Sequence, residues 1–379
     1  MVIPKEIPRK KLIVIKKEFS PFGGAENYLQ QIIKHLKKDH EIHFFANKWV
    51  NTDGIFFHKV STKTFTPFMS GLSFNCNVCS LLRSVNADCV VSFERTTCQD
   101  IYRAGEGCHA EWLKIRSFIE PLFKRLSFKI NPRHLSLLAL EKKLFETTPL
   151  IIANSNMVRE QIMHHYAVDR NRITIIYNGV DLKRFTPENR ARWRKSLRKS
   201  LSIPENSPVV LFVGSGFERK GLNTLVESIS FIKDIDLKVL VIGKGNVDKY
   251  RMQAREKAIS DKILFLGPQI EIEKYYAAAD LFVLPTLYDP FSNATLEAMA
   301  SGIPVITTKN NGVAELIVNG QEGYILDSLL NSEELASKIS LVFENEDKMG
   351  INARRKAEAF PIEKAAKEFT KAINQVTNR

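Results

Sequence analysis

Short runs of β-branched and aromatic residues, each followed by a stretch of helical period, recur along this chain and limit what it can fold into. KLIVIKK (11–17), EIHFFAN (41–47), DCVVSF (88–93) and LIIANS (150–155) read as strands in the first half. PVVLFVG (208–214), LKVLVIG (237–243), DKILFLG (261–267), ADLFVLP (279–285) and IPVITT (303–308) read as strands in the second. Short apolar strands separated by helices belong to parallel sheets with both faces covered. Two such sets in 379 residues predict an α/β chain of two Rossmann-like domains facing a central cleft. The boundary candidate is 182–207, with Pro187, Pro204 and the basic cluster ARWRKSLRKS. That cluster reads as a phosphate-binding patch or as the exposed face of a linker helix. The expected domains are 1–186, with a C-terminal helix over 361–379 packing back on it, and 187–360.

Charge divides along the same line. Residues 1–200 hold 34 Lys+Arg against 18 Asp+Glu, and residues 201–379 hold 21 against 24, for a net charge of +13. An excess of that size suggests an anionic partner: nucleic acid, an acidic membrane surface or a phosphorylated small molecule. With 44% hydrophobic and 26% charged residues, the composition argues against a disordered, collagen-like or integral membrane protein. The first apolar run, LIVI (12–15), is too short for a secretory signal, and no run approaches the roughly 18–20 residues that span a bilayer. The chain is therefore expected to stay in the cytoplasm. All five cysteines fall between 76 and 108; Cys76 and Cys79 form a CxxC that could begin a zinc site or a redox pair. Cys89, Cys98 and Cys108 are singly spaced, so free, partly buried thiols are the expectation.

In parallel α/β sheets, ligands bind beyond the carboxyl ends of the strands. The first strand runs into Gly23 and Gly24 before a helix, a turn that lets backbone N–H groups approach a phosphate or simply turns the chain. The second domain opens with VGSGFERKG (213–221), whose spacing fits neither a dinucleotide fingerprint nor a P-loop. Arg219 and Lys220 there stand at a helix start, where a cation opposes the helix dipole unless an anion is present. The densest signal is YDPFSNATLEAMASGIPVI (288–306), directly after the strand LFVLP. Ser292 or Asn293 can cap a helix to about Ala300, with Asp289 just before it and Glu297 one turn inside. Free N–H groups at its start would suit an anion, and the carboxylates would suit sugar hydroxyls; the plainer alternative is a capped surface helix with two solvated acids.

GGAE (23–26), NGVD (178–181), VGSGFERKG, the DLFVLPT run and DPFSNATLE (289–297), in this order and spacing, resemble the retaining glycosyltransferases of family four with the GT-B architecture. Within that family the chain is most similar to the lipopolysaccharide core glucosyltransferases. The resemblance implies that Gly24 approaches the donor diphosphate and that Lys220 neutralises it. It also implies that Glu297 binds the nucleotide ribose, and that backbone amides of Phe291, Ser292, Asn293, Ala294 and Thr295 hold phosphate and sugar. Gln269 and Ile270 would offer backbone contacts to the base. His109 resembles a histidine that faces the transferred sugar; the alternative is a loop histidine without a catalytic task. Asp289 stands where many relatives have Glu, and Ser215 where many have Arg. Lys220 and the helix dipole would then carry more of the diphosphate charge, with Arg219.

The implied reaction moves a hexose from a nucleotide-sugar donor, UDP-glucose by resemblance, to a lipid-linked saccharide acceptor such as inner-core lipopolysaccharide. No cofactor or metal is implied, and the one D-x-D, Asp234 and Asp236, precedes a strand and reads as a turn. Retention admits a covalent intermediate or attack on the face of departure. The segment WLKIRSFIEPLFKRLSFKINPR (112–133) adds Trp112, Ile115, Ile119, Leu122, Phe123, Leu126 and Ile130 at helical spacing, flanked by Lys114, Arg116, Lys124, Arg125, Lys129 and Arg133 against the single acid Glu120. Such a stripe suits a helix lying on an anionic membrane, with Pro121 splitting it in two, or a stripe packed on the domain core. The chain is accordingly expected to be peripheral on the inner face of the cytoplasmic membrane. A GT-B nucleotide-sugar epimerase is the alternative enzyme. A nucleic-acid binder lacks any recognition signature, so no nucleic acid is expected among the partners.

Overall fold

The computed structural model describes residues 9–19, 24–62, 67–344 and 348–378. The chain divides into two compact units, residues 1–177 with 363–379, and residues 178–362. The changeover falls at 177/178 rather than 186/187 because residues just past it already pair within the second unit. Val180 bridges Pro361, and the Asn178 side chain donates to Asn293 Oδ1 at 2.6 Å. Gly23 lies outside the described residues.

The first unit contains β1 (Lys10–Ile15), β2 (Glu18–Phe19), β3 (His40–Ala46), β4 (Lys48–Trp49), β5 (Ile55–Lys59), β6 (Cys89–Ser92), β7 (Ile101–Arg103), β8 (Leu150–Ala153) and β9 (Ile173–Ile175). Among the described residues, seven of these form a sheet in the order β5-β3-β1-β6-β7-β8-β9, and β2 pairs with β4 separately. The second unit contains β10 (Val209–Val213), β11 (Lys238–Ile242), β12 (Ile263–Gly267), β13 (Leu281–Leu284), β14 (Val305–Thr308) and β15 (Gly323–Leu326), ordered β12-β11-β10-β13-β14-β15. The neighbouring strands in both sheets pair parallel. Leu12–Ile15 and Val209–Phe212 are buried along their whole length, as strands covered on both faces must be. In each sheet the order reverses beside the first strand, between β1 and β6 and between β10 and β13. Loops on either side of such a reversal run apart and leave a crevice at the carboxyl ends.

The helix Ile362–Thr377 shows its apolar face as Ala365, Ala366, Phe369, Ala372 and Ile373, all buried. Phe369 stacks on Phe93 with ring centroids 5.8 Å apart, and Lys10 Nζ donates to Asn374 and Thr377, so this helix belongs to the first unit. The thiol expectation is corrected at one pair: Cys79 and Cys98 form a disulfide joining the helix Pro67–Leu82 to the segment after β6. Cys76 and Cys79 do not pair with each other, since Cys76 points to solvent while Cys79 turns inward from the same helix.

The basic cluster at 191–200 lies on the helix Asn189–Ser200, where Arg192, Lys195 and Lys199 are exposed and Arg194 and Arg198 turn inward. Arg190, Arg194 and Arg198 converge on Asp280, with N–O distances of 2.7, 2.7 and 2.6 Å, and the Val209 N–H donates to the same carboxylate at 3.0 Å. Burial alone would raise the Asp280 carboxyl. The three guanidiniums, Arg194 foremost, and the Val209 N–H outweigh it and hold the group below its ordinary 3.8. This stabilisation is present above the ordinary carboxylate range and is lost as pH falls through the depressed folded-state value. Removing the partner of a buried cation typically costs about 3–5 kcal/mol. Asp280→Ala should therefore lower the urea stability of the second unit by about 3 kcal/mol, whereas Arg190→Ala, at the exposed rim, should lose less than about 1 kcal/mol. Equal effects from the two variants would contradict the central place of Asp280.

Candidate functional site

In the second unit the crevice beside β10 is walled by the loops after β10 and β13. Gly221, at φ +78°, begins the helix Leu222–Phe231, and a Cβ there would come within 1.8 Å of the Pro285 carbonyl oxygen. Only glycine allows the two loops to approach so closely. Backbone bonds then join them: Leu287 N–H and Thr286 Oγ1 both donate to the Arg219 carbonyl, at 2.9 and 3.0 Å, and the Arg219 guanidinium donates to the Tyr288 carbonyl at 2.7 Å. Lys220 is thereby brought against Asp289, and its ammonium pairs with the Asp289 carboxylate. Both side chains are nearly inaccessible, at 13% and 8% exposure. Burial, with some repulsion from Arg219, lowers the Lys220 pKa against the opposing pull of Asp289.

Asp289 is fixed by its backbone as well. Its N–H donates to the Asn310 carbonyl, and its own carbonyl accepts from Gly312, both at 2.9 Å. Ser292 caps the helix Asn293–Ala300, its Oγ accepting the Thr295 N–H at 3.2 Å. Asn311, fully buried, accepts the Ser292 N–H at 3.1 Å and donates to Thr307 Oγ1 at 2.9 Å. This helix start is therefore braced by three separate segments. One turn in, Glu297 Oε2 accepts a hydrogen bond from Tyr276, whose oxygen lies 2.9 Å away and also 3.0 Å from the Ala294 carbonyl. Burial raises the Glu297 carboxyl above its ordinary 4.5; the Tyr276 hydroxyl and Arg184 oppose the shift, and Glu273 adds to it. A neutral phenol can donate only one proton, so the carboxylate retains capacity for further hydroxyl donors.

The remaining expected donor residues spread along the same carboxyl edge. Phe291 is buried, while Asn293 and Ala294 are half-buried at the helix start. Ser215 is exposed, and its Oγ accepts the Lys244 N–H at 3.2 Å. Gln269 and Ile270 follow β12; Gln269 donates to the Leu266 carbonyl, and the Ile270 carbonyl accepts from Arg184. The sequence does not single out Tyr276 and Asn311, because their parts depend on Glu297 and Ser292, 21 and 19 positions away.

His109 and Gly24 belong to the first unit. Gly24 opens the helix Gly24–Leu36. His109 opens the helix His109–Ile119, where its backbone N–H reaches both oxygens of Glu141 at 3.0 and 2.9 Å. Fully buried Glu141 also accepts from Arg95 Nε and the Tyr166 hydroxyl. His109 Nε2 lies 3.0 Å from His134 Nδ1. Burial first, then Arg95, His134, Arg133 and Arg116, lower its pKa to about 4, leaving a neutral imidazole at pH 7.

The segment 112–133 is split by Pro121, as expected, into His109–Ile119 and Leu122–Ile130. Exposure along the apolar stripe is uneven, however. Ile115 is buried, whereas Phe118, Leu122, Phe123, Leu126 and Ile130 are 65–75% exposed. Of the cations, Arg116 and Lys124 pair with Glu120 at 2.8 and 3.0 Å, Lys114 lies 3.6 Å from Glu111, and Arg125 donates to the Glu120 and Phe118 carbonyls. Arg116 lies over the Phe128 ring and beside Trp112, while Lys129 is exposed. No described helix is long and apolar enough to cross a membrane, and no described group of three or more His, Cys, Asp or Glu residues could hold a metal ion.

Residues 22–184 match the family model Glycosyltransferase Family 4, and residues 193–359 match Glycosyl transferases group 1. The chain is 24% identical over 327 residues to the lipopolysaccharide glucosyltransferase WaaG of Escherichia coli (strain K12), covering 84% of this chain and 85% of that one. It is 27% identical over 248 residues to a D-inositol 3-phosphate glycosyltransferase of Corynebacterium glutamicum (strain R), covering 62% of this chain and 59% of the relative, so it spans about three fifths of that relative's length. Among solved structures, a WaaG crystal structure superposes with a TM-score of 0.84 at 22% identity over 97% of this chain and all of that one. Anabaena Alr3699/HepE in complex with UDP and glucose superposes with a TM-score of 0.75 at 18% identity, over 97% of this chain and all of that one. With a family model on each half and a shared fold throughout, the chain belongs to the family-four, group 1 glycosyltransferases of the GT-B fold.

Proposed function

We propose that this glycosyltransferase moves glucose from UDP-glucose to a lipid-linked saccharide of the lipopolysaccharide inner-core type, with retention, at the inner face of the cytoplasmic membrane. The observation that carries the reading is the buried Lys220–Asp289 pair beside the capped start of the helix Asn293–Ala300. Glycosyl transfer places new negative charge on a departing diphosphate. Preorganised cations and N–H groups aimed at that charge are the largest contribution a protein can make. In this reading Lys220 exchanges Asp289 for the diphosphate, and the amides of residues 291–295 complete the cradle. Asp289, released, turns to the hydroxyls of the donor sugar. Glu297 accepts the ribose hydroxyls while Tyr276 holds it in place. His109 offers a neutral imidazole to the transferred sugar, and Gly24 a backbone approach to the phosphates. The positive field comes from the protein, and the reading requires no metal.

The likeness to WaaG supports the acceptor, and the likeness to D-inositol 3-phosphate glycosyltransferases supplies the competing one. Both are tested together by incubating the enzyme with mixed nucleotide sugars and either truncated lipopolysaccharide or D-inositol 3-phosphate. Mass spectrometry should find one added hexose on the lipopolysaccharide only. Isomerised donor formed without any acceptor would instead make the protein an epimerase. In the same assay Lys220→Ala should reduce turnover roughly 10²–10³-fold with the melting transition retained. Near-normal turnover in that variant would remove Lys220 from the diphosphate.

The raised Glu297 pKa gives a pH dependence of definite sign. Only the carboxylate accepts two hydroxyl donors, so UDP affinity should weaken on acidification at a higher pH than an ordinary carboxyl would cause. Glu297→Gln should bind UDP more weakly near neutrality and lose this acid limb; an unchanged pH profile in the variant would exclude the ribose role.

Five exposed apolar side chains over 118–130 form a patch of a kind soluble surfaces rarely keep without a partner. With Lys129 and the surrounding basic residues, they support a membrane-facing role for Leu122–Ile130. The double variant Phe123→Ser/Leu126→Ser should lose roughly tenfold or more of its partition onto phosphatidylglycerol vesicles. Unaltered partition would leave that patch without a role at the bilayer.

A further inference from the structure

Each residue of the NGVD sequence at 178–181 has a separate task in the second unit. Asn178 donates to Asn293 Oδ1 at the start of the helix Asn293–Ala300. A Cβ on Gly179 would come within 2.5 Å of the Ile362 Cα, so glycine lets the two segments run side by side. Val180 then pairs with Pro361, its N–H donating to the Phe360 carbonyl and its carbonyl accepting from Ile362, both at 3.0 Å. Asp181 closes a turn. Its Oδ1 accepts the N–H groups of Lys183 and Arg184 at 3.0 Å, and its carbonyl accepts from Phe185 at 2.9 Å.

This turn sets the direction of the next two side chains. Buried Phe185 meets the Tyr276 ring edge-on, with centroids 5.6 Å apart. The Arg184 guanidinium donates to Glu273 Oε2 through Nε at 2.9 Å and Nη2 at 2.8 Å, and Nη2 also reaches the Ile270 carbonyl at 3.0 Å. Glu273 opens the helix Glu273–Ala278, whose Tyr276 donates to Glu297. One side chain thus joins the turn after β12 to the helix that holds Glu297. The Arg184 and Glu273 side chains are 34% and 21% exposed, so their ion pair contributes little to folding. Groups held ready in one geometry cost a ligand less ordering when it binds.

We propose that Arg184 is a positioning residue for the donor nucleoside, holding the base-side turn at 269–270 and the ribose acid Glu297 at one spacing so that both engage the same nucleotide. The proposal rests on the donor site of the proposed function and deepens it with a residue that acts through Ile270 and Glu273 rather than on the reacting atoms. The charges near Glu297 give Arg184 a second, separable effect. Burial raises the Glu297 pKa, Tyr276 and Arg184 oppose the shift, and Glu273 adds to it. Arg354, from the helix Met349–Ala357, donates instead to the Phe185 and Ala300 carbonyls.

Calorimetric titration of UDP and of inorganic pyrophosphate into the full chain tests this, pyrophosphate reporting on the Lys220 side alone. Arg184→Ala should weaken UDP roughly tenfold, as loss of one charged hydrogen bond would give, and leave pyrophosphate affinity at the wild-type value. The acid limb of UDP binding should move to higher pH in Arg184→Ala, because the cation opposing protonation of Glu297 is gone. It should move to lower pH in Glu273→Gln, and Arg184→Lys, which keeps the charge, should return it towards wild type. A merely structural disturbance would move both limbs the same way. Wild-type UDP affinity in Arg184→Ala, an equal loss of pyrophosphate binding, or limbs that shift together would overturn the proposal. Should Arg184→Ala lose its melting transition, the direction of the limb in Glu273→Gln decides alone. UDP affinity unchanged by Glu297→Gln would count against the donor site itself, a result independent of Arg184.

Discussion

Parallel strands cannot be joined by a tight turn, and that constraint governs the rest of this molecule. Each connection must cross the sheet, so helices cover both faces and every strand core is apolar on both sides. Once the order of strands reverses next to the first one, the connections on the two sides diverge and leave a crevice at the carboxyl ends. Both sheets reverse in this way, and both crevices hold charged groups that a solvated loop would not order. In the second unit they are Lys220 and Asp289; in the first they are Lys17, Glu94 and Arg95. The chemistry is thus placed by topology before any individual side chain is considered.

Much of this was legible in the sequence because strands buried on both faces leave an uninterrupted apolar signature. Nine such runs correspond to β1, β3, β6, β8, β10, β11, β12, β13 and β14. Six strands escaped notice: β2, β4, β7 and β9 have only two or three residues, β15 begins with a glycine, and β5, at the sheet edge, has no fully buried residue and ends in His58 and Lys59. The Ser292 cap could be read because capping is local, the side chain bonding an N–H three residues on. The Tyr276–Glu297 and Asn311–Ser292 bonds could not, since they depend on which helix and turn pack together. The same holds for Glu141, which looks like an ordinary helical glutamate in LEKKL yet is fully buried beneath Arg95, Tyr166 and His109.

The positive charge of the first 200 residues also takes on distinct meanings once it is located. Part of it is structural, as with Arg190, Arg194 and Arg198 around Asp280. A second part is paired along the helices of 109–130, where Glu120 alone engages both Arg116 and Lys124. A remainder, including Lys17, Lys129 and Arg133, has no partner among the described side chains. Net charge therefore overstates what is available to an outside anion, and the unpaired fraction is the informative quantity.

The Lys220–Asp289 pair has a consequence for anion discrimination. Because Asp289 is held by its own backbone bonds beside Lys220, it behaves as a competitor at high effective concentration that never diffuses away. Chloride or single phosphate ions would have to displace a tethered carboxylate using one contact. On the proposed function, a diphosphate that also engages the helix amides would bring several contacts at once. The protein would thereby set its own threshold of valency, admitting ligands by how many bonds they form together and turning aside abundant small ions by the same rule.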